Sequence, residues 1–346
     1  MSAPSTPRMS GPHAAIRQGW LDRHVEPVLD PDQPILDAHH HLWDRPGSRY
    51  RVPEFLADLA TGHDVRASLY VQCRTGYRET GPEALRPVGE VETVRAWGRE
   101  AGATACPTGL IAHADLLLGD KAEAVITALM EAGEGTVRGI RNTTAHHPDP
   151  ALNSNPRPPP AGLLRDPAFS QGAGAVAREG LVLDIWAYQT QLDEVHDLAA
   201  AHPDLTVVID HLGGPLGAGP FRENREKHFA DWRAGVERLA RLPNTRIKIG
   251  GFGLVVMGKD YHLADTPPSS EQLAQDWAAY VDVCLNAFGP DRAMFESNFP
   301  VDKGMFSYPV IWNAFKRLAR SYSAEERAAL FYGTASATYG IALPGS

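Results

Sequence analysis

At 346 residues and 43% hydrophobic side chains, the chain can form one large α/β barrel or two smaller domains, each with a full core. A formal net charge of −9 excludes the basic footprint of a nucleic-acid binder, and no run approaches the roughly 18 apolar residues of a membrane span. Cys73, Cys106 and Cys284 are far apart and form no CxxC pair. They read as small buried hydrophobes in a reducing, cytoplasmic setting.

Residues 1–12 are polar and Ser/Pro-rich with no export signal, and residues 1–33 read as an N-terminal arm with one short helix within 16–24. The first core strand is expected at 34–39, running into Asp37-Ala38-His39-His40-His41. Side chains at i and i+2 on a strand share a face about 6.6 Å apart, so Asp37, His39 and His41 are expected on one face and His40 on the other. Two imidazoles at that spacing can grip one divalent cation or one substrate oxygen. The bland alternative, a His-rich polar loop, does not explain the apolar residues on both sides.

Further strands are expected at 67–73, 108–112, 137–141, 181–187, 206–210, 246–250 and 293–297. Most are short, continuously apolar runs, which suits parallel strands covered on both faces. Helical segments fit between them, for example at 91–101, 121–132, 192–201 and 271–287, the last with Ser269 or Ser270 as N-cap. Ser323 to Glu326 forms a capping box opening a helix to about residue 332. Eight strands alternating with helices predict a (β/α)8 TIM barrel over 34–342. A doubly wound sheet is the alternative, weakened because no Gly-x-Gly-x-x-Gly follows the first strand. The Pro-rich stretch 143–168, after the fourth strand, is an insertion expected on the catalytic face.

Polar residues at strand ends are the candidates for chemistry, because barrel sites are built there. His211 ends the sixth strand and completes a three-imidazole cluster with His39 and His41. Arg141 ends the fourth and offers a bidentate fork for a carboxylate. Arg74, Tyr77, His113, Tyr188 and Gln189 are further candidate substrate contacts. Lys248 and Glu296, on strands seven and eight, are expected to join Asp37 in a charge network beneath the site.

The order Asp-x-His-x-His, Gly-Ile-Arg, Asp-His-Leu-Gly-Gly and Met-Phe-x-Ser-Asn-Phe-Pro on strands one, four, six and eight resembles the amidohydrolase superfamily. The nearest likeness is to the amidohydrolase-2 branch, which holds sugar lactonases and pyrone-dicarboxylate lactonase. His41-Leu42-Trp43-Asp44 and the ending from Leu330 to Gly340 strengthen the match. The resemblance implies a distorted barrel with His39, His41 and His211 as the metal-binding imidazoles. The family usually has Asp where this chain has Asn298, and metal-binding relatives often have His where it has Tyr188-Gln189. An amide is a poor zinc ligand and cannot serve as a base. The resemblance therefore implies a divalent metal such as zinc held weakly or not at all, no organic cofactor, and a base from Asp302, His211 or Glu296. The expected activity is hydrolysis of a carboxylate-bearing lactone or related cyclic ester or amide, with Asn298 and Asp302 beside the imidazoles. Alternatives are a metal-assisted decarboxylase of an aromatic or dienoic acid and a catalytically inactive ligand-binding barrel. The partner is a small molecule rather than nucleic acid or membrane, and a homo-oligomer is compatible with the sequence.

Overall fold

The computed structural model describes residues 9–10, 12–102 and 107–342. Cys106 lies outside them. Cys284 is buried and Cys73 half-buried.

Eight parallel strands follow one another around a single sheet: β1 (Ile35–His40), β2 (Val65–Val71), β3 (Gly109–Ala112), β4 (Val137–Thr143), β5 (Val182–Trp186), β6 (Val207–Ile209), β7 (Thr245–Ile249) and β8 (Ala293–Phe295). Sequence neighbours are also spatial neighbours, as right-handed β–α–β crossovers require. Between consecutive strands lie helices such as Val52–Leu59, Val88–Glu100, Ala122–Gly133, Pro167–Arg178 and Ser270–Phe288. Asp166 and Ser269 cap two of them by accepting from Ala168 N–H and Gln272 N–H. The capping box at Ser323 forms, but its α-helix runs only to Ala328 before a wider turn and a second helix, Thr334–Tyr339.

The ring closes through the segment after β8 rather than through β8 itself. Asn298 N–H donates to the His39 carbonyl (2.9 Å) and His41 N–H to the Phe299 carbonyl (2.7 Å). The result is a distorted (β/α)8 barrel.

The barrel interior is layered. At the bottom, Leu36, Ala38, Leu69, Ile111, Val208 and Met294 pack with Tyr339 from the last helix. On three of the strands the inward side chain two residues further along is charged: Asp184 after Val182, Asp210 after Val208, Glu296 after Met294. Asp37 departs from the expected phase. Leu36 and Ala38 face the interior cluster, so Asp37 points the other way, and a register shift between Asp37 and His40 then returns His39 and His41 to the inside. Asp37 is therefore not part of a network with Lys248 and Glu296. It accepts from Ser297 N–H (2.9 Å), Ser297 O–H (2.6 Å) and Tyr308 O–H (3.0 Å), fastening the β1–β8 seam.

Removing that carboxylate leaves the buried Ser297 N–H and Tyr308 O–H without an acceptor and the Ser297 hydroxyl with only a long contact to the His39 carbonyl (3.4 Å). Asp37→Ala is expected to lower unfolding stability by roughly 2–4 kcal/mol in urea titrations. A loss below about 0.5 kcal/mol would show that the seam holds without it.

Candidate active site

The site is built upward from the charged layer. Lys248 donates to Asp184 (2.5 Å) and lies 3.3 Å from Asp210. Tyr339 O–H reaches both Asp184 oxygens, at 3.0 and 3.1 Å. Arg141 Nη1 lies 3.4 Å from Asp210 Oδ2, and its Nη2 donates to the Gln72 carbonyl (2.6 Å). Burial opposes charge on Lys248, but Asp184, Asp210 and Glu296 outweigh it and raise its pKa. Burial would also raise Asp210, yet Lys248, His39 and Arg141 hold it well below the usual carboxylate range. Asp184 goes the other way, up to about 6, through burial that Lys248 only partly offsets.

Above this layer Glu296 joins two imidazoles. Its Oε1 lies 2.6 Å from His211 Nδ1 and its Oε2 lies 2.9 Å from His39 Nδ1. Burial works against its charge, but those two rings bring its pKa down to about 2. An ionised acceptor at both Nδ1 atoms favours the tautomers with Nδ1–H there. His41 is fixed in the same sense, because its Nδ1 lies 2.7 Å from the Val71 carbonyl. Burial lowers the pKa of both His39 and His41, so they are neutral near pH 7. Their Nε2 lone pairs then face each other at 3.2 Å.

Two lone pairs at that distance need a positive charge between them. Two imidazole nitrogens on one tetrahedral zinc lie about 3.3–3.4 Å apart, from zinc–nitrogen bonds of roughly 2.0–2.1 Å. Each ring is held by an outer partner, a carboxylate or a carbonyl, as metal-binding imidazoles are. The donor pair fits a divalent ion, and the Nε2 of His211 is left for a third bond or for substrate. Asp210 also falls in a convergent group with His39 and His211. However, the Lys248 ammonium already stands 3.3 Å from Asp210 Oδ1 and 3.5 Å from His39 Nδ1, so that side holds a cation of its own. Arg141 Nη1, 3.3 Å from His39 Nε2, competes for the other side and weakens any ion there.

Asp302 completes the top. Gly253 N–H (2.9 Å) and the Asn298 amide N–H (2.8 Å) donate to its two oxygens. Burial raises its pKa to about 7, against the pull of these donors and of His211. Asn298 Oδ1 is buried without a partner among the described residues. His211 (φ +52°) and Asn298 (φ +54°) both sit in the left-handed region, a strain that residues other than glycine carry mainly where packing fixes a side chain for a purpose.

The other expected contacts divide. Tyr77 stacks on His113 (6.4 Å between rings), and exposed Arg74 lies over the Tyr77 face at 5.3 Å. Arg141 is almost fully buried with both Nη atoms engaged, so no free fork is presented to a carboxylate. Tyr188 donates to the Leu152 carbonyl and meets Ser154 (2.7 Å), while Gln189 braces Leu216 and His228. The Tyr188 contacts tie down the insertion after β4, and the Gln189 contacts tie down the segment after β6. The insertion reaches the site through Ser154, which accepts from Trp186, a ring edge-on to His211 at 4.7 Å. His40 points outward and stacks on Phe55 at 4.1 Å. The carboxylate that organises the imidazoles, Glu296, is expected from the sequence in the layer beneath them or as a base, not as the partner of both rings. Its position right after an apolar strand was the available signal.

The model of the family described as Amidohydrolase matches residues 36–341. The chain belongs to the amidohydrolase family. This amidohydrolase is 31% identical over 332 residues to the uncharacterized protein y4mH of Sinorhizobium fredii, covering 90% of this chain and 99% of that one. It is 27% identical over 321 residues to an L-fucono-1,5-lactonase of Burkholderia multivorans, covering 89% of this chain and 97% of the relative. Among solved structures it resembles a Burkholderia multivorans amidohydrolase with bound HEPES, with TM-score 0.67, 25% identity and coverage of 89% and 99%. A second structure of a Burkholderia multivorans amidohydrolase, with bound zinc, shares the fold at TM-score 0.69, 24% identity and the same coverage.

Titration with zinc tests the imidazole pair. His41→Ala should weaken zinc affinity by at least about tenfold, whereas His40→Ala should leave it unchanged and lower stability instead. Equal affinity losses in both variants would contradict the assignment of His40 to the outer face.

Proposed function

We propose that this amidohydrolase opens a lactone by adding water to its carbonyl, with Asp302 as the base. The observation that carries this reading is the Asp302 carboxyl itself. It is buried beside His211, held by Asn298 and Gly253, and brought to about pKa 7, where a general base works best at neutral pH. The likeness to an L-fucono-1,5-lactonase supports a polyhydroxylated six-membered lactone as the substrate class.

Asp302 takes a proton from water as the water oxygen bonds to the carbonyl carbon. The acyl C–O bond then breaks, and the proton returns from Asp302 to the departing alkoxide. Asn298 fixes the carboxylate for both transfers, and its free Oδ1 accepts a hydrogen bond from the attacking water. A divalent ion on His39 and His41 supplies Lewis-acid polarisation of the carbonyl when bound. The Arg141 guanidinium adds fixed positive charge beside the same His39 nitrogen. A substrate carboxylate, where present, meets Arg74 at the rim, since Arg141 is already engaged.

The base must be deprotonated to act. For aldono-1,5-lactones assayed by acid release, kcat/KM should rise with pH through an apparent pKa near 7 and fall about tenfold per unit below it. Asp302→Asn should remove that limb and cost roughly 10²–10⁴-fold in rate. Asn298→Asp places a second carboxylate against the first and should move the limb to higher pH. An unchanged limb in Asp302→Asn would rule this base out.

A further inference from the structure

We propose that His13, carried over the mouth of the barrel by the N-terminal segment, contacts the substrate in this site. The proposal rests on the hydrolase reading above. His13–Ala14 pairs antiparallel with Met9–Ser10, and this short hairpin packs on the turn that begins at Asp302. Any Cβ at position 304 would collide with the Ala14 carbonyl, so Gly304 is what lets the two backbones meet. The following residues tie the segment to the loop after β7. Arg17 donates to the His262 carbonyl, Trp20 Nε1 to the Ala264 carbonyl (2.9 Å) and Arg23 to the Asp265 carbonyl (3.0 Å). The segment thus bridges the loops after β7 and β8 at the C-terminal face.

His13 lies within electrostatic reach of Arg45 and His211, and its Nδ1 is buried without a partner among the described residues. Burial first, then those two groups, lowers its pKa to about 4, so the ring is neutral and offers one N–H and one lone pair. That pairing suits a substrate hydroxyl, which both donates and accepts. Beneath this cover the site is closed: of His39, His41, His211, Asn298 and Asp302, the most exposed is His41 at 4%. A buried, unpartnered ring nitrogen above such a site costs stability unless a ligand completes it.

The test uses the full chain with His13→Ala, His13→Gln and, as a control on the same segment, His24→Ala. On the aldono-1,5-lactones that the wild type turns over, His13→Ala should raise KM at least fivefold with kcat changed less than threefold. His13→Gln should recover part of the loss, and His24→Ala should match the wild type. KM within twofold of wild type in His13→Ala would overturn the proposal. A second readout needs no turnover: carbethoxylation of His211 by diethyl pyrocarbonate, followed by peptide mass spectrometry. It should accelerate several-fold in His13→Ala, and equal rates would overturn the placement of His13 over the site. If the wild type opens no lactone, the lactonase reading fails and the labelling result alone decides the position of His13.

Discussion

One ionised carboxylate organises this site. Glu296 engages a ring nitrogen of His39 with one oxygen and of His211 with the other, and it stays charged in a dry interior because of what surrounds it. Below it, Asp184, Lys248, Asp210 and Arg141 alternate in sign across four strands. Such a buried network adds little net stability over an apolar core, but losing one member leaves an uncompensated charge. The consequence is geometric. With Nδ1 of both rings held toward Glu296, their Nε2 atoms turn to the mouth of the barrel. The layers follow in order: apolar side chains at the bottom, paired charges in the middle, proton-accepting groups at the top.

Asn298 takes its meaning from the same electrostatics. An Asp in its place would put two carboxylates in contact, with one forced to hold a proton well above neutral pH. The amide donates to Asp302 instead and leaves that carboxyl near neutrality. In the proposed reaction the base is then Asp302, four residues further along the chain. The left-handed backbone at His211 and Asn298 holds both side chains in position before substrate arrives.

Much of this was legible in the sequence because parallel strands buried on both faces read as apolar runs, and the residue that ends each run falls on the rim. His39, His41 and His211 are placed on the rim by that pattern, and the family resemblance points to Asn298 and Asp302 beside them. What escaped has specific causes. A bulge within β1 breaks strict alternation, so Asp37 was assigned the wrong face. Arg141 was expected as a fork because nothing in the sequence shows that Asp210 and the Gln72 carbonyl engage it first. Tyr188 and Gln189 occupy rim positions but brace loops, a matter of long-range contacts. His13 lies outside the repeat altogether, where periodicity carries no information.

Hydrolysis at the acyl carbon is the central claim, and isotope placement tests it most directly. Turnover of an aldono-1,5-lactone in H2(18)O, corrected for the spontaneous reaction, should give product two mass units heavier with the label in the carboxylate. Label in the hydroxyl instead, or carbon dioxide released from an aromatic acid with no lactone opened, would contradict it.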